Sequence, residues 1–575
     1  MIKKFLVLLL FIAFPVLLFA NYQKYYEVSS KEWKIVSWVT KYAGVTGPSS
    51  NGPITGYQLS DAIDRAENIL GKGNTHIIEA RKSIEGPEIL LGSKDSGYIN
   101  LFASINPEVY LQTNGIDPLF FEGGNTIFDY DWYIADSKHR SPIIDLGFEL
   151  GAKDIFYGDF DYNFTYAYYE SDVWNRNLLN NASTYHTENY PFRSGISIGN
   201  RNLSFIAAKA GVSMGEGYTG NTAIGDNFDY QEFIKASFFS PNVGLFINIT
   251  NFDSSHSKEV TSPYEFLYAS FSGYLQLRHN VSMEFNLFNR GLISVSLINL
   301  LDTTSSFDLR MVNPFYILHN MFNYTEGTIF ESNNMLSLSF TIPIVSKLSA
   351  HFQFTLDQSQ TEKELDSIGE RNIDPNAFSF LTNISKVGCL KTGRYELFLE
   401  SVYNSPCMYL NQKYYKSDGT ITAKIPESDP LYAWSQDYLL GYKNQNKGNG
   451  DAGWSGYYYG PDSFVLALGG SYWGERFEFS GRAFYMAHGE KGRGDKAENY
   501  TFEGFNTADT ARDYSLSGIV EHSFIFSFEG SYAFCDYFSI RSGLAYSHQW
   551  NFRNQKGLER DNIQCVFGLS FKLGV

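Results

Sequence analysis

Asn562-Ile-Gln-Cys-Val-Phe-Gly-Leu-Ser-Phe-Lys-Leu-Gly-Val575 decides the fold. Taken alternately, Ile563, Cys565, Phe567, Leu569, Phe571, Leu573 and Val575 are apolar. Between them lie Gln564, Val566, Gly568, Ser570, Lys572 and Gly574, polar or small except for the valine. A period of two over this length describes a β-strand whose two faces meet different solvents. An apolar outer face and a polar inner face fit a transmembrane β-barrel, with lipid on one side and a wet lumen on the other.

The same grammar recurs upstream. Leu336, Leu338, Phe340 and Ile342 alternate with Ser337, Ser339 and Thr341, and Leu348, Ala350, Phe352 and Phe354 with Ser349, His351 and Gln353. Phe524, Phe526 and Phe528 oppose Ser523, Ser527 and Glu529. Tight turns at 344–347, 391–393, 473–476 and 534–537 alternate with long connections at 310–332, 357–377, 404–461 and 488–516. Short periplasmic turns and long external loops are the asymmetry of outer-membrane barrels. The expected fold is an all-β transmembrane barrel of roughly 16–18 antiparallel strands with a small N-terminal helical element. The order Gly568-x-x-Phe571-x-Leu573 resembles the terminal signal read by barrel-assembly machinery, which makes that machinery and outer-membrane lipid expected partners.

Composition agrees. The 575 residues include 41 Tyr and 48 Phe, 17% aromatic, while mean hydropathy is only -0.24. Aromatic girdles plus long polar loops produce that combination. A formal net charge of -17 argues against nucleic acid and against anionic lipid as the main partner. Lys3 and Lys4 precede an apolar run from Phe5 to Phe19 that ends at Ala20, so residues 1–20 are expected to be a signal peptide. Residues 21–95 are expected to form a periplasmic helical element. Its signals are Ser29-x-x-Glu32 and Thr55-x-x-Gln58 as capping boxes, then a third helix from Thr75 to Ile84. Residues 96–575 are expected to be the barrel. Cys389, Cys407, Cys535 and Cys565 permit disulfides, but no framework of them is expected.

Motifs of catalysis do not survive their context. Gly195-Ile-Ser-Ile-Gly199 and Gly211-Val-Ser-Met-Gly215 match GxSxG without the strand-turn-helix that a nucleophile elbow needs. Gly215-Glu-Gly-Tyr-Thr-Gly220 matches GxGxxG with no helix following it, which leaves a tight turn. The ten His have no metal-ligand spacing. No enzyme activity, cofactor or metal is expected. Inward-register charges such as Arg278, Glu284, Glu396, Glu400, Arg482 and Arg541 either line a conduction path or brace one another across the lumen, and bracing is the stronger reading because unpaired buried charge is costly.

The stretch 404–460 is the candidate for recognition. It holds nine Tyr and two Trp, with five Lys against five acids. Tyr414, Tyr415, Trp434, Trp454, Tyr457, Tyr458 and Tyr459 offer flat faces with polar edges, suited to stacking on sugar rings. An outer aromatic girdle, or packing of the loop on itself, is the competing reading.

In order and in local sequence the chain resembles the capsule assembly protein Wzi family. The resemblance rests on Gly195-Ile-Ser-Ile-Gly199, on the segment from Gly215-Glu-Gly-Tyr-Thr-Gly-Asn221 to Asp226-Asn-Phe228, and on Arg310-Met-Val-Asn-Pro-Phe315. Where relatives show Gly-Arg-Asp, this chain has Ala208-Lys209-Ala210. The resemblance implies a lectin-like outer-membrane protein that holds surface polysaccharide without catalysis. A diffusion pore and a surface adhesin are the alternative functions.

Overall fold

The structure is a computed structural model describing residues 22–85, 91–93, 97–113, 143–152, 155–167, 185–226, 231–252, 275–303, 330–359, 376–391, 393–409, 440–443, 451–454, 456–490 and 514–573. The expected signal peptide lies outside them.

Eighteen antiparallel strands close into one barrel, numbered here in chain order. They are β1 (Gly97–Ile105, resumed at Glu108–Gln112), β2 (Ile144–Ala152), β3 (Phe156–Ala167), β4 (Tyr185–Gly199), β5 (Leu203–Ala210) and β6 (Gln231–Phe239). Next come β7 (Val243–Phe252), β8 (Leu275–Asn286), β9 (Leu292–Thr303), β10 (Phe330–Val345), β11 (Leu348–Gln358) and β12 (Ala377–Leu390). The ring is completed by β13 (Gly393–Asn404), β14 (Ser463–Trp473), β15 (Phe477–His488), β16 (Glu521–Cys535), β17 (Phe538–Trp550) and β18 (Glu559–Leu573). Closure joins β18 to both halves of β1, with Phe571 opposite Ile105 and Gln564 opposite Gln112. A closed ring leaves no edge strand, so every stave finds its hydrogen bonds within the sheet.

The two-faced reading of β18 holds. Ile563, Phe567 and Phe571 are exposed on the outside, at 43%, 50% and 43%, while Asn562, Gln564 and Val566 are buried within. The tight turns fall where the sequence places them: Val345 pairs with Leu348, Leu390 with Gly393, Trp473 with Glu478 and Cys535 with Phe538. At this short-turn end Phe477, Tyr532, Phe534, Phe538 and Phe571 contact one another in succession, with centroids 4.8–5.8 Å apart, stacked except for the edge-on Tyr532–Phe534 pair. At the other end Tyr514, Tyr546 and Trp550 are exposed. These two bands bracket the apolar belt as interfacial girdles do.

The inner face departs from a uniformly polar lumen. Ile298, Met335, Leu381, Val402, Val465 and Ile525 lie in the inward register and are buried. Strand alternation alone would have put them against water. They are apolar because other parts of the chain pack on them.

Helices α1 (Lys31–Ala43), α2 (Gly56–Leu70) and α3 (Thr75–Glu85) precede the barrel and sit across its short-turn mouth. The cap of α1 is Ser30, whose hydroxyl accepts from Trp33 N at 3.2 Å, one residue later than the expected Ser29. In the second box Gln58 Oε1 accepts from Thr55 N at 3.0 Å, as expected. The helices keep an apolar core of their own, including Trp33, Val36, Val39, Leu59, Ile63 and Ile77. Pairing of barrel type begins at Leu91–Ser93, against Gly97–Ile99, slightly ahead of residue 96. The four cysteines form no disulfide.

Phe567 is near the middle of β18, and Phe571 is near its short-turn end. Phe567→Arg should therefore cost about 2–4 kcal/mol of stability in lipid vesicles, and Phe571→Arg about 0–1 kcal/mol. Denaturant titration followed by heat-dependent gel mobility measures both. Equal losses would mean that β18 does not cross lipid in this register.

Candidate functional site: a loop bonded across the lumen

Between β5 and β6 the chain does not stay on the rim. Residues 211–226 turn into the lumen, where Met214 bridges Asn51 on one side and Ile224 on the other. Gly215 and Gly220 make the turns possible, since each takes a positive φ, 128° and 127°, that a side chain disfavours. The GxGxxG match is thus a loop built on two glycines, with no helix and no pyrophosphate geometry.

Apolar residues of this loop cover the inner wall. Val212, Met214, Ala223 and Ile224 join Ile206, Ile298, Leu300, Met335, Leu381 and Val402 in one buried cluster. Met214 S also lies 3.1 Å from Ser296 Oγ and 3.7 Å from Ser282 Oγ, both donating from the wall.

Wall side chains supply the polar partners. Glu400 on β13 accepts from Tyr218 N at 2.7 Å, Thr219 N at 2.8 Å, Thr219 Oγ1 at 2.6 Å and Asn383 Nδ2 at 3.1 Å. Gln353 on β11 accepts from Thr222 N at 2.8 Å and donates through Nε2 to Met214 O at 3.1 Å. His351 hydrogen-bonds Thr341 at 2.8 Å and accepts from Glu216 N at 3.4 Å, an ordinary bonding role. Thr341 Oγ1 also donates to Glu216 Oε1 at 3.0 Å. Burial pushes the Glu216 carboxyl above the usual carboxylate range, against the opposing pull of Lys41.

From the short-turn side, helix α1 completes the arrangement. Lys41 Nζ donates to Glu396 Oε1 at 2.9 Å and to Tyr218 OH at 3.2 Å. Tyr218 OH donates to the same Glu396 oxygen at 2.5 Å, and its ring stacks on Phe398 with centroids 4.0 Å apart. Burial alone would lower the Lys41 pKa, but the Glu396 carboxylate outweighs it and the ammonium is held above its ordinary value. The 44–56 loop adds Gly52 N to Ser213 O at 2.9 Å and Gly215 N to Ser50 O at 3.1 Å. Lys235, fully buried, donates to the carbonyls of Asn51 and Pro53.

The expected recognition residues divide. Tyr414, Tyr415 and Trp434 lie outside the described residues. Trp454 ends a ribbon in which Leu440–Lys443 pairs with Asp451–Trp454. Tyr457 and Tyr459 are buried and only Tyr458 is half-buried. Tyr457 OH lies 2.7 Å from Thr219 Oγ1, and its N–H donates to Tyr409 OH at 2.9 Å. Tyr409 in turn donates to Thr222 O. Tyr459 packs on Phe484 at 5.0 Å. Their faces are spent on the chain's own lumen loop, not offered at the surface. The inward charges were expected to brace one another, but the structure holds them on other groups: Glu284 accepts from Ser49 Oγ at 2.9 Å, Arg541 pairs with Glu108 at 3.2 Å, and Arg278 donates to Gln231 at 2.5 Å. Arg482 lies over the Phe484 ring at 5.6 Å. Ser197 of the first GxSxG match sits mid-strand and donates to Gln23 Oε1 at 3.3 Å.

No protein-family model and no curated protein matches the sequence. Solved structures do match. Wzi of Escherichia coli, an outer membrane protein involved in group 1 capsule assembly and a carbohydrate-binding β-barrel, aligns at 11% identity over 97% of this chain and 100% of its own, with TM-score 0.53. OprD of Pseudomonas aeruginosa aligns at 8% over 83% and 95% with TM-score 0.36, and the outer membrane channel DcaP of Acinetobacter baumannii at 8% over 84% and 99% with 0.34. Only the first score is high enough to speak to fold. The chain is a β-barrel of the bacterial outer membrane, similar in fold to Wzi.

Lys41 and Glu396 have side chains only 12% and 14% exposed, so removing one partner strands the other. Lys41→Met should destabilise the protein by about 3–5 kcal/mol, and adding Glu396→Gln should recover part of that loss. Because the folded-state pKa of Lys41 is raised, its contribution is complete below the unfolded value of about 10.4 and fades only as pH climbs above it. A double-mutant cycle on thermal unfolding, repeated at pH 7 and in strong alkali, checks both statements.

Proposed function

We propose that this barrel retains surface polysaccharide at the cell exterior without chemistry of its own. The observation that supports the reading is the loop at 211–226, fixed wall to wall by Glu400 on one strand, Gln353 on another and the Ser282–Ser296 pair on two more. A lumen filled by such a loop, with helices across one mouth, favours use of the outer surface over passage through the middle. The likeness in fold to a carbohydrate-binding barrel points the same way. Among the described candidate aromatics, Tyr457 and Tyr459 are committed to the lumen loop and the wall, so the test falls on Trp434, Trp454 and the half-buried Tyr458.

Replacing Trp434, Trp454 and Tyr458 together by Ala should leave heat-dependent gel mobility unchanged and lower the polysaccharide retained on whole cells. Planar-bilayer recordings of the wild type should show no steady conductance. Unchanged retention combined with a robust wild-type conductance would replace this reading with the diffusion pore.

A further inference from the structure

The lumen is not filled alike all round. On β11 the inward residues Ser349, His351, Gln353 and Thr355 are all buried, with the lumen loop bonded against them. On β15 the inward face changes with depth instead. His488, Met486 and Phe484 are buried, Arg482 is half-buried, and Ser480 and Glu478 at the short-turn end are exposed. The strands on either side follow the register. Gly469, Arg482 and Ser527 stand in one row, and Ser471, Ser480 and Glu529 in the next. Trp473, Glu478, Ser531 and Arg541 form the row at the mouth. Every residue of these three rows is half-buried or exposed. One row deeper, Ala467, Phe484, Ile525 and Ser547 are only 0–4% exposed and close the space. From Glu478 to Phe484 is about 20 Å of strand.

The helical element leaves this side of the mouth uncovered. It bonds to β2 through Lys24, to β3 through Tyr25 and to β13 through Trp38 and Lys41. Toward β15–β18 its one polar contact among the described residues is Lys31 with Glu478, at 3.9 Å and with both side chains exposed. The result is a blind vestibule between helices and wall, open at the short-turn end, which is the periplasmic side.

Its lining is rich in hydroxyls and close to balanced in charge. Ser471, Ser480, Ser527 and Ser531 supply the hydroxyls, each able to donate and to accept. Glu478 is engaged by Lys31 and Arg541 by Glu108. Arg482, over the Phe484 ring at 5.6 Å, and Glu529 have no ion pair among the described residues. They sit in adjacent rows of neighbouring strands, about 7–8 Å apart at the backbone. Further round the inward face, Asp145 on β2 and Asp161 on β3 are half-buried and likewise without an ion pair among the described residues. Three carboxylates thus stand against Arg482 and the exposed Lys572 at the rim. That excess offers nothing to an acidic ligand. A carboxylate that accepts and a guanidinium that donates, with hydroxyls between them, match the alternating donors and acceptors of vicinal sugar hydroxyls.

We infer that this vestibule is a periplasm-facing binding site for a neutral oligosaccharide. It is separate from the exterior retention proposed above, and the buried row of Phe484 and Ile525 keeps the two apart.

Isothermal titration of the purified full chain in a polyoxyethylene detergent tests it. The neutral probes are maltoheptaose, cellohexaose and mannohexaose, and hexagalacturonate is the acidic one. The wild type should bind at least one neutral probe at least ten-fold more tightly than hexagalacturonate. Arg482→Gln and Glu529→Gln should each weaken that binding at least three-fold. Ser480→Trp, which fills the middle row, should abolish it. Heat-dependent gel mobility shows whether each variant still closes its barrel, and Ser527→Leu, one row deeper, is the second blocking variant should Ser480→Trp fail to close. Absence of binding by all three neutral probes overturns the inference, and so does equal affinity for hexagalacturonate. Binding left intact by both glutamine variants, or by a blocking variant that closes normally, overturns it as well. Retention of polysaccharide on whole cells reports on the exterior reading alone, so either reading can fail without the other.

Discussion

Glu400 is fully buried on an inner wall that is partly apolar, and a carboxyl there is tolerable only if donors replace the lost water. Four do, and three of them belong to the Tyr218–Thr219 pair of the lumen loop. The dependence runs both ways. Without Glu400 those two loop N–H groups would be buried and unmade, at about 1–3 kcal/mol each. Without the loop, Val402 two residues along the same face would meet water with Leu381 and Ile298. The loop leans in turn on Ser50 and Gly52 and, through Tyr218, on Lys41 of α1. Wall, loop and helices are one interlocked arrangement centred on that carboxyl.

The barrel was legible because lipid imposes a strict rule on one face of each strand. Phe524, Phe526 and Phe528 are exposed outward at 40%, 55% and 49%, and no other part of the chain alters that requirement. Turn length was legible for a similar reason, since a hairpin of two to four residues can close only one way. The lumen face obeys no such rule. Ile525 and Val566 are inward and apolar because packed chain lies over them, and strand periodicity cannot register a neighbour supplied from elsewhere in the chain. Ser30, one residue off the expected cap at Ser29, is a smaller case: two adjacent serines offer the same side chain, and only the helix geometry chooses.

Little of the lumen site could be read in advance. Tyr218 and Glu400 are 182 residues apart, so their bond leaves no local pattern. The glycine spacing from Gly215 to Gly220 did mark a turn, yet spacing cannot say that the turn points inward. Tyr457-Tyr458-Tyr459 reads as one aromatic patch, but it lies in a turn in which Gly460 N donates to Tyr457 O at 3.0 Å, and Tyr457 and Tyr459 are buried while Tyr458 is half-buried against the same cluster.

The two apolar clusters explain how the helices are held. One is confined to the helical element and takes Val387 as its buried barrel member, with Trp473 packed alongside. The other lies inside the barrel and includes Tyr25, ahead of α1, but no residue of the three helices. The helices thus share a core largely among themselves, and bonds to the wall add to what Val387 and Trp473 contribute. Directional bonds join the helical element to the wall. Trp38 Nε1 donates to Tyr395 O at 3.0 Å, Lys24 pairs with Glu149 at 2.7 Å and Tyr25 OH donates to Asp159 at 2.5 Å. Exposed pairs such as Arg201–Asp61 add little, because solvent screens them. The buried set matters more, since each polar group in it would be stranded by a shift of a few ångströms.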